Sequence, residues 1–318
     1  MTRGGRLLAA AAGLAALGAA GFAVLTSPAI FRLLKSETVA SVPASGDAAR
    51  GKVWFDAGGC ASCHATPGQA DHTRLGGGGE LHTPFGVFRS PNLSPHPEDG
   101  IGRWTSEDFI RAMREGVSPD GRHYYPAFPY TSYRVMTEAD LADLFAHLKT
   151  LPAVAGRAPD HDLSFPYSFR RGLGLWKLAF FDGERFRPDP SKSEAWNRGA
   201  YLVEGAGHCA ECHSPRNAFG AIVEGRRHAG GPDPEGKGGF VPNLTPHATG
   251  LGKWETGDIA ELLKSGFTPD FDSVGGSMAA VVRNTARLSD ADREAMALYL
   301  KSLPPVANPR PKAPEPRK

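Results

Sequence analysis

The sequence predicts an all-α protein built as two tandem copies of one small helical domain behind an N-terminal membrane-anchor helix. Three observations lead there. Motifs recur in a single order at a spacing of about 150 residues, the apolar residues between them fall at helical intervals behind capping side chains, and the chain opens on an uncharged run. A length of 318 residues holds two such domains, each expected to bury its own core.

Arg3 and Arg6 precede the run Leu7 to Leu25, nineteen uncharged residues. That is longer than the apolar core of a cleaved secretion signal and just enough for a transmembrane helix, so residues 1–30 are assigned to an uncleaved signal anchor. A cleaved signal peptide competes with this reading, because the run is rich in Ala and Gly and offers small residues at Gly18 and Ala20. The α-amino group, Arg3 and Arg6 favour an amino end that stays inside, although Arg32 and Lys35 beyond the run weaken the contrast. On either reading the remainder is exported.

The repeat sets the domain boundaries. Arg50-Gly51 followed by Cys60-Ala61-Ser62-Cys63-His64 returns as Arg198-Gly199 followed by Cys209-Ala210-Glu211-Cys212-His213, at offsets of 148 and 149. Pro91-Asn92-Leu93-Ser94-Pro95-His96 returns as Pro242-Asn243-Leu244-Thr245-Pro246-His247, and Gly102-Arg103-Trp104 as Gly252-Lys253-Trp254. Leu148-Lys149-Thr150-Leu151-Pro152 closes the first copy as Leu300-Lys301-Ser302-Leu303-Pro304 closes the second. The copies therefore span 46–153 and 193–305, joined by a connector over 154–192 and followed by a disordered tail over 306–318.

Within each copy, Thr105 and Asp108 form a capping box for a helix that stops at Gly116, and Thr256 to Gly266 is its partner. Thr137 caps a last helix carrying Leu141, Leu144, Phe145 and Leu148 and halted by Pro152; Ser289 begins its counterpart. The connector contains an apolar, aromatic piece from Leu173 to Phe181 that packs on something. With 36 Lys and Arg against 34 Asp and Glu the net charge is +2, and no long basic run interrupts the body, so a nucleic-acid partner is not expected.

The chemistry resides in Cys-x-x-Cys-His, present twice at equivalent points and using every cysteine. In an exported chain this is the attachment pattern of c-type haem: two thiols form thioethers and the adjoining histidine binds iron. A zinc site would have to recruit cysteines from separate copies, and a disulfide within each motif would leave the histidine unexplained. Cys60, Cys63, Cys209 and Cys212 are thus expected to carry two covalent haems, with His64 and His213 as proximal ligands. For the far side of each iron, Met113 and Met296 align with leucines at apolar helix positions and are read as core, leaving Met136 and Met278. Met278 lies in a Gly-Gly-Ser-Met turn. Met136 directly precedes the cap Thr137, where a hydrophobic staple onto Leu141 is a rival role, and His123 or an open site are its alternatives.

Trp104 and Trp254 suit either a hydrogen bond to a haem propionate or plain core packing. Asn92 and Asn243 match the glycosylation pattern, but their identical place in both copies indicates a structural role. His96 and His247 are expected to line the haem loops, whereas His72, His82, His147, His161 and His228 are read as surface or loop residues, and Gly76 to Gly79 as a flexible loop.

The stretches Gly100-Ile101-Gly102-Arg103-Trp104, Arg114-Glu115-Gly116-Val117-Ser118-Pro119-Asp120-Gly121-Arg122-His123 and Tyr125-Pro126-Ala127-Phe128-Pro129-Tyr130, with Gly174-Leu175-Trp176-Lys177-Leu178 and Gly276-Ser277-Met278-Ala279, resemble the cytochrome c subunits of membrane-bound alcohol, gluconate and fructose dehydrogenases. The resemblance covers nearly everything after residue 45. It implies a class I cytochrome c fold in each copy, on the periplasmic side of the inner membrane. It also implies electron transfer from a periplasmic dehydrogenase to a quinone, another cytochrome or a terminal oxidase. Two departures stand out: those subunits usually carry three haem domains and this chain shows two, and many relatives have methionine where this sequence has Phe128. The rival class is a dihaem peroxidase with one open haem.

Overall fold

In the computed structural model, which describes residues 2–35, 43, 45–234 and 239–310, each copy is framed by two helices that cross at a glycine. Two helices lead, α1 (Arg3–Leu25) and α2 (Pro28–Lys35). The first copy contains α3 (Ala48–Ala57), α4 (Cys60–His64), α5 (Ser106–Glu115), α6 (Tyr130–Tyr133) and α7 (Glu138–Lys149). The connector forms α8 (Leu173–Phe180), and the second copy α9 (Glu194–Glu204), α10 (Cys209–Cys212), α11 (Thr256–Ser265), α12 (Gly276–Thr285) and α13 (Asp290–Ser302).

The framing pairs are α3 with α7 and α9 with α13. A Cβ on Gly51 would lie 1.9 Å from the Asp143 carbonyl oxygen, and one on Gly199 equally 1.9 Å from that of Ala295, so only glycine lets the axes approach this closely. This is why Arg-Gly recurs. The arginine beside each glycine clamps the crossing, Arg50 to Asp143 and Arg198 to Asp292, both at 2.7 Å.

The helix starts follow their caps. Thr105 and Asp108 close a reciprocal capping box on α5, Thr137 accepts from Asp140 N–H at the head of α7, and Ser289 from Asp292 N–H at the head of α13. α11 begins at Thr256 as expected, with Glu255 as its cap, paired with Asp258. A small antiparallel sheet is added to the helical plan. β1 (Glu80–Thr83) pairs with β2 (Gly86–Arg89), Glu80 opposite Arg89, and the connector supplies β3 (Asp162–Leu163) against β2. In the second copy β4 (Gly231–Pro232) pairs with β5 (Phe240–Val241).

The copies do not keep separate cores. One continuous apolar cluster runs from Trp54, Phe109 and Leu141 through Tyr133 and Met136 to Tyr201, Leu202 and Met296. Trp54 meets Tyr201 edge-on at 5.6 Å across the boundary, and Tyr201 accepts a hydrogen bond from the Thr137 N–H at 2.8 Å.

No residue of α1 is buried, and α1 is the one described helix long and apolar enough to cross a membrane. The segment beyond α1 is built into the first copy. The Thr26 carbonyl accepts from His123 Nε2 at 2.8 Å, Arg171 reaches Thr26 Oγ1 and the Ala23 carbonyl, Phe31 stacks on Phe181 at 5.1 Å, and Arg32 pairs with Glu115 at 3.0 Å. At the other end, the first residues of the stretch 306–318, expected as a disordered tail, are ordered against the second copy. Val306 and Asn308 hydrogen-bond Asn243, Thr245 and the Ala229 carbonyl, while residues 311–318 lie outside the described residues.

Candidate functional site

Each Cys-x-x-Cys-His motif forms about one helical turn. Residues i, i+3 and i+4 share a helix face, so α4 presents Cys60, Cys63 and His64 together. In the second copy α10 carries Cys209 and Cys212, with His213 as its C-cap. No disulfide joins any of the four cysteines, and burial pushes the Cys60 and Cys209 thiols up to about 12. Among the described residues, no three His, Cys, Asp or Glu side chains converge on one point as a zinc site would need.

The histidines are oriented identically. His64 Nδ1 lies 2.9 Å from the Pro91 carbonyl oxygen, and His213 Nδ1 2.8 Å from that of Pro242. A carbonyl only accepts, so Nδ1 carries the proton and Nε2 keeps its lone pair, the tautomer a metal-binding imidazole requires. Burial lowers both imidazoles from their ordinary value, His213 to about 4, and the proline carbonyls oppose that only partly. Both rings are neutral at physiological pH. Two thiols on one helix face beside a neutral, fixed imidazole suit a covalently attached haem.

The recurrent Pro-Asn-Leu therefore has a mechanical role. Proline supplies the orienting carbonyl, and the next residue locks its loop. Asn92 gives its amide N–H groups to the Val154 and Gly156 carbonyls and takes the Ser94 N–H; Asn243 repeats this with Val306 and Thr245. Both asparagines are buried, in keeping with the structural role expected of them. The glycine run expected to be a flexible loop is instead part of this frame. Gly77 N–H donates to the His64 carbonyl as Gly230 N–H does to that of His213, and at both a Cβ would come within 2.5 Å of backbone.

The methionines separate clearly. Met278 lies in the first turn of α12, not in the irregular turn its glycines suggest, and it packs on the core with part of its surface open. Met136 is 1% exposed, inside the joint core, and its Cγ would be 3.5 Å from a Cβ placed on Gly205 of the second copy. It thus takes the staple-like position, directly ahead of the cap Thr137. His123, its alternative, sits on the connector side near Thr26, Lys177 and Arg171.

Trp104 and Trp254 are half-buried against the same core, and their indole N–H groups donate to nothing among the described residues. His96 and His247 cap their own loops, accepting from the N–H groups of Asp99 and Thr249. Of the histidines read as surface or loop residues, His72 and His82 are exposed and His147 and His161 half-buried. His228 is not at the surface: it is 1% exposed and bonded through Nε2 to Glu204 at 2.6 Å. Leu93 N–H donates to Leu75 where Leu244 N–H donates to His228, which makes the apolar, buried Leu75 the counterpart of His228.

Each attachment motif docks on the other copy, a feature no linear motif announces. His208 Nε2 hydrogen-bonds the Gly58 carbonyl at 3.2 Å and its ring meets Tyr133 edge-on at 5.8 Å. Ser62, inside the first motif, accepts from Asn284 of α12 at 2.8 Å. Glu211, inside the second, accepts from Thr131 at 2.6 Å and Ser132 at 3.0 Å, both of α6, and pairs with Arg216. Each motif thus grips a helix of the other copy.

A family model described as cytochrome c matches residues 48–152 and 197–304. The chain is 50% identical over 277 residues to a diheme cytochrome c-type protein of Cereibacter sphaeroides, covering 86% of this chain and 92% of that one. It is 38% identical over 295 residues to the cytochrome c subunit of a quinone alcohol dehydrogenase of Gluconacetobacter polyoxogenes, and 36% over 261 residues to a fructose dehydrogenase cytochrome subunit of Gluconobacter japonicus. Those matches cover 89% and 81% of this chain but only 62% and 53% of the relatives.

Proposed function

The chain belongs to the cytochrome c family, and from that premise we propose that it is a membrane-anchored dihaem electron carrier, reduced by a periplasmic dehydrogenase and oxidised by a quinone, a cytochrome or a terminal oxidase. A haem bound at each site supplies reversible one-electron chemistry. Cys60 and Cys63 hold the first through thioethers, and Cys209 and Cys212 the second. His64 and His213 offer Nε2 to the irons, kept in register by Pro91 and Pro242. Met278 offers a thioether to the second iron, which favours its reduced state. The free indole N–H groups of Trp104 and Trp254 suit a propionate.

The observation that supports transfer between the two sites most is the docking of each attachment motif on the other copy through His208, Ser62 and Glu211. It holds the two redox centres in one rigid unit. For the anchor, the support is α1 itself, 23 residues long, apolar and with no residue buried, whose end is tied to the first copy through Ala23, Thr26 and Arg32.

Purified from a host with haem-attachment machinery, the chain should carry two haems, remain with the membrane and keep residues 3–25 by mass. Membranes should lose dehydrogenase-linked respiration when His64 and His213 are both replaced. An undiminished rate in that double variant would overturn the carrier role.

A further inference from the structure

Phe128 stands in the first copy where Met278 stands in the second. Each lies twelve residues beyond the glycine that ends α5 or α11, Gly116 or Gly266. Matching backbone bridges intervene, Val117 to His123 and Phe267 to Ser273. Both side chains pack on the shared core on one side and keep part of their surface open. Met136 corresponds instead to Leu288. Each directly precedes an N-cap, Thr137 or Ser289, and they are 1% and 6% exposed. A sulfur enclosed by protein on all sides, in a position that the second copy fills with leucine, has no face to offer a metal.

The groups around Phe128 are aromatic. Tyr124 meets it edge-on at 5.6 Å and Tyr130 at 6.3 Å, and Tyr133 lies tilted against it at 5.7 Å. Tyr133 meets the His208 ring edge-on at 5.8 Å, His208 bonds the Gly58 carbonyl two residues ahead of Cys60, and Cys60 packs on the same core as Tyr133, which places this aromatic cluster beside the first attachment motif. None of these side chains replaces the missing sulfur. Phenylalanine has no lone pair to give. Burial pushes the Tyr124 phenol up to about 12, so the phenolate an iron would bind is not formed. His123 gives its Nε2–H to the Thr26 carbonyl at the membrane end of the domain.

We propose that the iron held by His64 has no protein ligand on its other face, which Phe128 covers without bonding, and that its sixth position takes a small neutral diatomic ligand of the carbon monoxide class. The inference rests on the dihaem reading above. An apolar, aromatic wall disfavours a charged ligand, and the ring contacts of Phe128 among the described residues are with Tyr124, Tyr130 and Tyr133, whose phenols burial pushes up, so none of them is a ready base for the proton transfer that peroxide cleavage needs. The site is thus a binding site rather than the open haem of a peroxidase.

The test uses the full-length protein in detergent. Haem is counted from the alkaline pyridine spectrum, and carbon monoxide is titrated into the dithionite-reduced protein. The expected result is two haems and one carbon monoxide per chain. Phe128→Met should abolish that binding and turn the high-spin part of the oxidised spectrum low-spin, while Met136→Leu should change neither. No binding by the unmodified protein, or binding that appears only in Met136→Leu, would overturn the proposal. Two molecules bound per chain would also overturn it, because the contrast between Phe128 and Met278 would then have no effect. A haem count below two would sink the dihaem reading as well, which separates the two failures.

Discussion

At the scale of single residues, function turns on which atom faces each iron. Among the described residues Met278 is the one partly open methionine, and its counterpart in the first copy is Phe128. Replacing it with leucine, close in volume, removes the donor with little cost in packing. Carbon monoxide bound per chain should double from one to two, and the potential of the second haem should fall, both readable by spectroelectrochemistry. The proximal side depends on one carbonyl per copy. Proline has no N–H, so Pro91 and Pro242 bring only an acceptor to the imidazole.

Among the elements, the frame crossings and the connector carry most of the geometry. Gly51→Ala puts a methyl group 1.9 Å from a carbonyl oxygen, so α3 and α7 must part. A loss of about 3 kcal/mol or more is expected from urea denaturation, at or beyond the usual range for overpacking. On α8, Lys177 is wholly buried and donates to the Glu115 and Gly116 carbonyls, with the Tyr130 ring 4.7 Å from its ammonium. It acts as the C-terminal cap of α5, supplied from the connector. Burial drops it to about 7, and Lys177→Met would strand the Glu115 carbonyl, while that of Gly116 keeps the Tyr124 N–H. That should cost about 1–3 kcal/mol in the same measurement. The apolar run Leu173 to Phe181 announces a packed element in the sequence. The lysine within it reads as a surface residue until its target, a helix end about 60 residues earlier, is seen.

For the whole molecule, the continuous core predicts that the copies unfold together. Calorimetry of the full chain should give one transition, and two separated transitions would show that the copies are independent. Stability should also depend on acid. Burial pushes Glu204 up, but His228, Arg227 and Tyr299 outweigh it and hold the carboxyl down to about 2 from 4.5. A depressed carboxylate stabilises the fold fully above pH 4.5 and loses that contribution as pH falls towards 2. The denaturation midpoint should drop across that window, and Glu204→Gln should flatten the drop.

The sequence by itself determined the repeat, the attachment motifs, the capped helices and the leading apolar run. All of these rest on local spacing: a helical turn brings i, i+3 and i+4 together, and a cap acts within three residues. The merged core, the docking of each motif on the other copy and the burial of His228 and Lys177 were decided by tertiary structure, because each joins residues distant in sequence. Met136 and Phe128 mark the boundary between the two. Spacing alone leaves Met136 as a candidate ligand, since a methionine ahead of a cap serves a staple or an iron equally well. Burial places it in the core, and the matching backbone bridges of the two copies make Phe128, not Met136, the counterpart of Met278. A side chain's chemistry is written in the sequence, but the face it turns to a neighbour is set by the residues that enclose it.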